Sequence, residues 1–233
     1  MPVVVLAGGL GTRLGTLSGD LPKCLVDVNG APFAVHQLRL LKSRGARRIT
    51  FCLGHLGAPV VDAIGDGSGL GLTVDYAFDG DRLLGTAGAI KGCLDRLPGS
   101  FFVTYGDSYL PCPFDAVQSA FESSGKSALM TVFANRGLWD ASNVEYRGGR
   151  IVAYDKVHRT ERMTHIDYGL GVFRRRAFDL VPDDAPFDLA TLYQALLARG
   201  DLASFEVAER FYEVGSPSGL DETRHHLAGP HSL

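Results

Sequence analysis

The chain has 233 residues, 45% of them hydrophobic and 21% charged, with a formal net charge of −3. That length suits one large domain whose core needs no disulfide or metal staple. The charge balance excludes a global basic field, so neither nucleic acid nor an anionic membrane is an expected partner. The apolar runs fall short of the ~20 residues that cross a bilayer. No charged leader precedes residues 3–7, and Cys24, Cys52, Cys93 and Cys112 lack C-x-x-C spacing. Together these features read as a cytoplasmic protein with reduced thiols and no zinc site.

In chain order, residues 3–7 (VVVLA) read as a buried strand that empties into a loop with Gly8, Gly9, Gly11 and Arg13, followed by Lys23. Glycines let bare backbone N–H groups approach a polyphosphate, and the two cations offset its charge. The spacing fits neither G-x-G-x-x-G nor a loop ending in G-K-[S/T]. Phe33, His36, Gln37, Leu40 and Leu41 form a partly apolar helical stripe. Residues 49–53, 73–76 and 101–105 read as strands, and 59–64 and 86–97 as helices. This alternation predicts a mostly parallel sheet with helices on both faces. Such sheets bind ligands at the carboxyl ends of their strands, so the glycine loop and Tyr105-Gly106-Asp107 are expected at one sheet edge.

The second half carries more strand signals, at 128–133, 144–146, 151–154, 167–173 and 211–214. Arg147-Gly148-Gly149-Arg150 supplies a hairpin turn. Helices are expected over 189–197 and 217–227. Residues 226–233 are expected to fray, and His225 and His226 read as solvated.

Two further segments carry chemistry. Asp107 places a carboxylate at a strand end beside a glycine. It becomes a metal ligand only if phosphate-binding elements and a second carboxylate converge on it. Residues 84–90 (LGTAGAI) form a second glycine loop that feeds a helix, where Thr86 serves either as a cap or as part of a nucleotide contact.

These segments, taken with LAGGLGTRL and LPK, LLGTAGAI, YGDSYL, AYDK with IDYGLGVF, and FYEVGSP, resemble the sugar-1-phosphate nucleotidyltransferases in motif order and spacing. The resemblance runs from residue 3 to about residue 223 and implies one Rossmann-like, three-layer α/β domain. Residues 1–110 would form its nucleotide-binding half, and residues 111–225 a small β-rich portion that takes the sugar phosphate. It further implies a Mg²⁺-dependent reaction in which an NTP and a sugar 1-phosphate give an NDP-sugar and pyrophosphate. By the same resemblance Leu6, Gly8, Gly9, Gly11, Thr12, Gly85 and Thr86 contact the nucleotide. Arg13 meets the departing pyrophosphate, Lys23 the α-phosphate, and Asp107 and Glu213 hold the metal. Asn143, Asp155, Lys156, Tyr168 and Gly169 face the sugar phosphate.

The chain departs from the family pattern at three places. Glu213-Val214-Gly215 stands for D-x-G, Ser142-Asn143-Val144 for Y-G-V, and Asp167-Tyr168-Gly169 for N-A-G. The first keeps the charge and adds a methylene; the other two bear on the acceptor. The segment LPKCLVDVNGAPF looks most like heptose-1-phosphate guanylyltransferases, with N-acetylmuramate-1-phosphate uridylyltransferases next. The expected pair is therefore GTP with a heptose 1-phosphate. Alternatives are UTP, CTP or dTTP with another sugar phosphate or a phosphorylated alcohol, and a catalytically silent regulatory subunit. Either a monomer or a homo-oligomer is compatible with these features.

Overall fold

The computed structural model describes residues 1–9, 21–54, 57–80, 84–183 and 185–229. In chain order the elements are β1 (Val3–Leu6), β2 (Asp27–Val28), β3 (Ala31–Pro32), α1 (Phe33–Ser43), β4 (Arg48–Leu53), α2 (Ala58–Ile64), β5 (Thr73–Phe78) and α3 (Gly85–Gly92). Next come β6 (Ser100–Tyr105), β7 (Ser108–Tyr109), α4 (Phe114–Ser124), β8 (Ala128–Phe133), β9 (Val144–Arg147), β10 (Arg150–Tyr154) and β11 (Ile166–Arg174). The chain closes with α5 (Leu189–Ala198), β12 (Leu202–Val207), β13 (Tyr212–Glu213) and α6 (Pro217–Leu227).

The chain forms two compact units. The first comprises Met1–Leu83, Thr104–Pro111 and Phe211–Leu233. Its parallel strands run in the order β1-β4-β5, in register Val5↔Phe51 and Phe51↔Tyr76. β1 is buried throughout, as a strand covered on both faces must be. Its neighbour α1 turns Phe33, Ala34, Gln37, Leu38, Leu40 and Leu41 inward and stops at Gly45, whose φ of +86° closes the turn. Val26, Val28, Phe33, Leu40, Tyr109, Val214, Leu220 and Leu227 make one of this unit's apolar clusters. α6 starts at Ser216, whose hydroxyl accepts the Gly219 N–H at 3.0 Å, with Pro217 in the first turn.

The second unit comprises Leu84–Val103 and Cys112–Arg210, with strand order β12-β8-β11-β6. β8 pairs parallel to β12 and antiparallel to β11, so the strand set is mixed. Phe173 anchors this core, its ring 5.5 Å from that of Phe178 and 5.2 Å from that of Tyr193. β9 and β10 form the expected antiparallel hairpin across Gly148-Gly149.

The α/β class read from the sequence is the class found, with small differences at element ends. The helix expected over 86–97 ends at Gly92 and gives way to a 3₁₀ turn, Leu94–Arg96. Gly92 carries no side chain to hold the helix, and the Cys93 thiol turns back to donate to the Ile90 carbonyl. α4 and β12 were not anticipated. His226 is not solvated as expected: its ring stacks on Tyr212 at 3.9 Å and meets Tyr109 edge-on. All four cysteines are buried. No helix among the described residues is long and apolar enough to cross a membrane.

Candidate active site

In the first unit the strand ends bring three motifs together. Leu6 closes β1 in the core, and Gly8 follows against Gly54, where a Cβ would meet the Gly54 nitrogen at 3.1 Å. A side chain at Gly8 would press on the Gly54 backbone, whereas a Cβ on Gly9 would meet nothing within 4 Å. Gly11, Thr12 and Arg13 lie outside the described residues. Gly106 donates its N–H to the Leu6 carbonyl at 2.8 Å, and a Cβ there would strike that of Ala7 at 2.8 Å. Only glycine lets the Asp107 turn come this close to the end of β1.

The cation comes next. Pro22 sets an extended backbone ahead of the 3₁₀ turn Lys23–Leu25, and Cys24 enters the core there. The Lys23 ammonium lies 3.6 Å from Asp107 Oδ2, both groups partly open to solvent. A pair of that exposure contributes under about 1 kcal/mol to folding, so stability alone does not account for it. Burial pushes the Cys24 thiol up to about 12, which keeps it protonated and unsuited to nucleophilic attack.

The second carboxylate arrives from far along the chain. β13 pairs antiparallel with β7, setting Glu213 opposite Ser108, and the Val214 N–H donates to the Asp107 carbonyl at 2.9 Å. A Cβ on Gly215 would stand 2.8 Å from Glu213 Oε2, 3.1 Å from Asp107 Oδ2 and 3.4 Å from Lys23 Nζ. Two carboxylates and a lysine therefore converge on one bare backbone position. The extra methylene of Glu213 lets its carboxylate curl back to accept the Gly215 N–H and the Ser216 hydroxyl. Gly219 faces the same carboxylate with no side chain to obstruct it. Each carboxylate keeps acceptor sites beyond these bonds. Two hard oxygen donors beside a cation suit a Mg²⁺ that completes its shell with phosphate and water.

In the second unit, Asn143, Asp155, Lys156 and Gly169 gather around a residue the sequence reading left out of the site, Asp167. Its carboxylate accepts the Gly169 N–H at 3.1 Å and the Tyr154 hydroxyl at 3.1 Å, and lies 3.7 Å from Lys156 Nζ. Its own N–H donates to Asn143 Oδ1 at 2.9 Å. Asp167 is only 5% exposed, while Lys156 is 44% exposed, so the lysine has a buried anchor and an open head. Gly169 has φ +98°, and the register of β11 against β8 shifts between Asp167 and Gly171. That bulge turns the segment out of the regular ladder. The Asp155 carboxylate accepts the Val157 and His158 N–H groups at 2.7 and 2.8 Å. Those N–H groups, His158 first, hold its carboxyl below the usual range, and one of its oxygens is committed to shaping the loop. The Tyr168 ring is 2% exposed and packs against Phe133, so it supports the segment and offers no face for stacking. The departure from N-A-G, Asp167-Tyr168-Gly169, is the signal in the sequence that marks this place.

The second glycine loop is in this unit too. Gly85 has φ +73°, and a Cβ would meet the Phe187 carbonyl oxygen at 2.7 Å. Thr86 does not cap its own helix: its hydroxyl accepts the Leu189 N–H of α5 at 2.7 Å, while its own N–H points to Asp188 Oδ1 at 3.4 Å. The Phe187 carbonyl accepts the Ala87 and Gly88 N–H groups. The segment before α5 therefore straps the glycine loop in place.

A family model described as nucleotidyl transferase matches residues 2–138. The chain belongs to that family. It is 28% identical over 232 residues to the N-acetylmuramate alpha-1-phosphate uridylyltransferase of Neisseria meningitidis, covering 96% of this chain and 97% of that one. It is 27% identical over 221 residues to the mannose-1-phosphate guanylyltransferase of Mycobacterium tuberculosis, covering 92% of this chain and 61% of the relative. The chain thus spans less than two thirds of the length of the mycobacterial protein. Among solved structures, HddC from Yersinia pseudotuberculosis complexed with GMP-PN superposes with a TM-score of 0.81 at 23% identity, over 97% of this chain and 99% of that one. That likeness shows the Rossmann-like α/β fold. The relatives bear out the resemblance to sugar-1-phosphate nucleotidyltransferases read from the motifs.

Proposed function

We propose that this chain is a Mg²⁺-dependent nucleotidyltransferase that converts an NTP and a sugar 1-phosphate to an NDP-sugar and pyrophosphate, with GTP and a heptose 1-phosphate as its pair. The observation that carries the reading is the convergence of Lys23, Asp107 and Glu213 on Gly215 in a chain of this family. The guanine preference draws on the register of LPKCLVDVNGAPF and on the mycobacterial guanylyltransferase. The length match to the uridylyltransferase of Neisseria favours a second reading, UTP with N-acetylmuramate 1-phosphate.

The chemistry asks little of a protein nucleophile. A phosphate oxygen of the acceptor, ionised at neutral pH, forms a bond to the α-phosphorus, and the bond to pyrophosphate breaks on the opposite side. Asp107 and Glu213 would hold the Mg²⁺, which when bound supplies positive charge to the phosphate oxygens. Lys23 offsets charge at the α-phosphate, and Arg13 offsets it on the departing pyrophosphate. Gly8, Gly9, Gly11 and Thr12 give the phosphates access to backbone, and Gly85 and Thr86 give it to the nucleoside. Lys156 takes the acceptor phosphate, with Asp167 fixing its ammonium, and Asn143, Asp155 and Gly169 shape the sugar contact. The catalytic requirement is to bring anions together and stabilise charge as it moves.

The test is a pyrophosphate-release screen of GTP, UTP, CTP, ATP and dTTP against a panel of sugar 1-phosphates and phosphoalcohols. Fastest release with GTP and a heptose 1-phosphate is expected. A faster UTP reaction with N-acetylmuramate 1-phosphate would establish the second reading. No release with any pair would leave a catalytically silent subunit.

A further inference from the structure

α1 reaches the Asp107 turn with one polar side chain. Gln37 is 1% exposed, and its amide nitrogen donates to the carbonyls of Tyr105 and Ser108, each at 2.7 Å. Those two carbonyls bracket Gly106 and Asp107. Both are acceptors, so the amide can face them only with its NH₂, and both of its N–H bonds are used. The amide oxygen, Gln37 Oε1, is left buried with no hydrogen-bond partner among the described residues. An unsatisfied buried acceptor is disfavoured, and it calls for a compensating role. A leucine or methionine here would suit the apolar stripe of α1, in which Phe33, Leu40 and Leu41 are its buried companions.

We infer that Gln37 is a positioning residue that clamps the Tyr105–Ser108 turn from behind and so fixes the Asp107 carboxylate for metal binding. The inference rests on the proposed metal role of Asp107. The turn is tied on its other sides by Gly106 N–H to Leu6 and by the Asp107 carbonyl to Val214 N–H. Those bonds fix the two residues of the turn itself. Gln37 joins the residue before the turn to the residue after it. A helix-borne side chain is a stiffer support than a loop, and outer partners of a metal ligand set its orientation.

The test is Mn²⁺ binding to the full chain, with unbound Mn²⁺ followed by electron paramagnetic resonance, for wild type, Asp107→Asn and Gln37→Met. Wild type is expected to bind and Asp107→Asn to lose binding. Gln37→Met should weaken it by about 10-fold or more, the usual consequence of losing such a partner. In turnover, Gln37→Met should raise the Mg²⁺ concentration for half-maximal pyrophosphate release while the KM for sugar phosphate stays unchanged. A merely structural glutamine would lower the thermal midpoint without moving Mn²⁺ affinity well below that midpoint. Wild-type affinity in Gln37→Met, with Asp107→Asn defective, overturns the inference alone. No Mn²⁺ binding by wild type overturns the metal reading and the inference with it. If Gln37→Met does not fold, Gln37→Asn replaces it: one methylene short, it reaches one carbonyl and should bind with intermediate affinity. Affinity equal to wild type there overturns the clamp.

Discussion

At the scale of single residues, the site in the first unit is a matter of charge brought to bare backbone. Asp107 and Lys23 are 3.6 Å apart and both partly exposed, an arrangement that adds little to stability. Asp107→Asn and Lys23→Ala are therefore expected to fold normally by circular dichroism and to lose about 100- to 1000-fold in pyrophosphate release. Near-normal turnover in either variant would remove that residue from the chemistry. Asp167 works differently, as a buried carboxylate with an exposed lysine attached. In Asp167→Asn the Gly169 N–H keeps an amide-oxygen acceptor, the Tyr154 hydroxyl must turn to accept from the amide NH₂, and the negative charge beside Lys156 is lost. With the lysine head no longer held by that ion pair, the KM for sugar phosphate should rise by about 10-fold, with the KM for NTP unchanged. Equal shifts in both constants would count against an acceptor-specific role.

At the scale of elements, glycines mark where backbones meet. Gly85 combines a positive φ with a 2.7 Å approach to the Phe187 carbonyl. Gly85→Ala should cost about 2–4 kcal/mol in urea unfolding, from the left-handed backbone together with the clash, and should raise the KM for NTP. An alanine variant as stable as the parent would mean that the strap before α5 yields easily. The elements were unequally legible. β1, β4 and β6 announced themselves as short apolar runs, and the hairpin of β9 and β10 by its Gly-Gly turn. α4 carries its signal too, with Phe114, Val117 and Phe121 buried at helical spacing between strand-like segments. β12 is mostly half-exposed, and its pattern alone is weak; pairing with β8 is what makes it a strand.

At the scale of the whole molecule, both units hold apolar cores built without a metal cluster among the described residues. A chain of 233 residues can bury enough surface to stand on those cores. Chelation with EDTA is thus expected to abolish pyrophosphate release, to leave the far-UV spectrum unchanged, and to be reversed by added Mg²⁺. Unfolding on chelation would instead reveal a metal that the cores require. The first unit is assembled from three stretches of chain, and its last stretch, Phe211–Leu233, supplies Glu213.

The sequence by itself determined the α/β class and the family, and it nominated the residues of the proposed site. Hydrophobic period and glycine placement are local properties, and a glycine loop with Lys23 and a strand-end Asp107 carries its chemistry in its composition. Only the tertiary structure decided how Glu213 meets Asp107 through the two-residue pairing of β13 with β7. It also decided that Thr86 caps the neighbouring helix, that Asp167 anchors Lys156, and that Gln37 braces the Asp107 turn. Each of those depends on contacts between residues far apart in the chain, which no local pattern encodes.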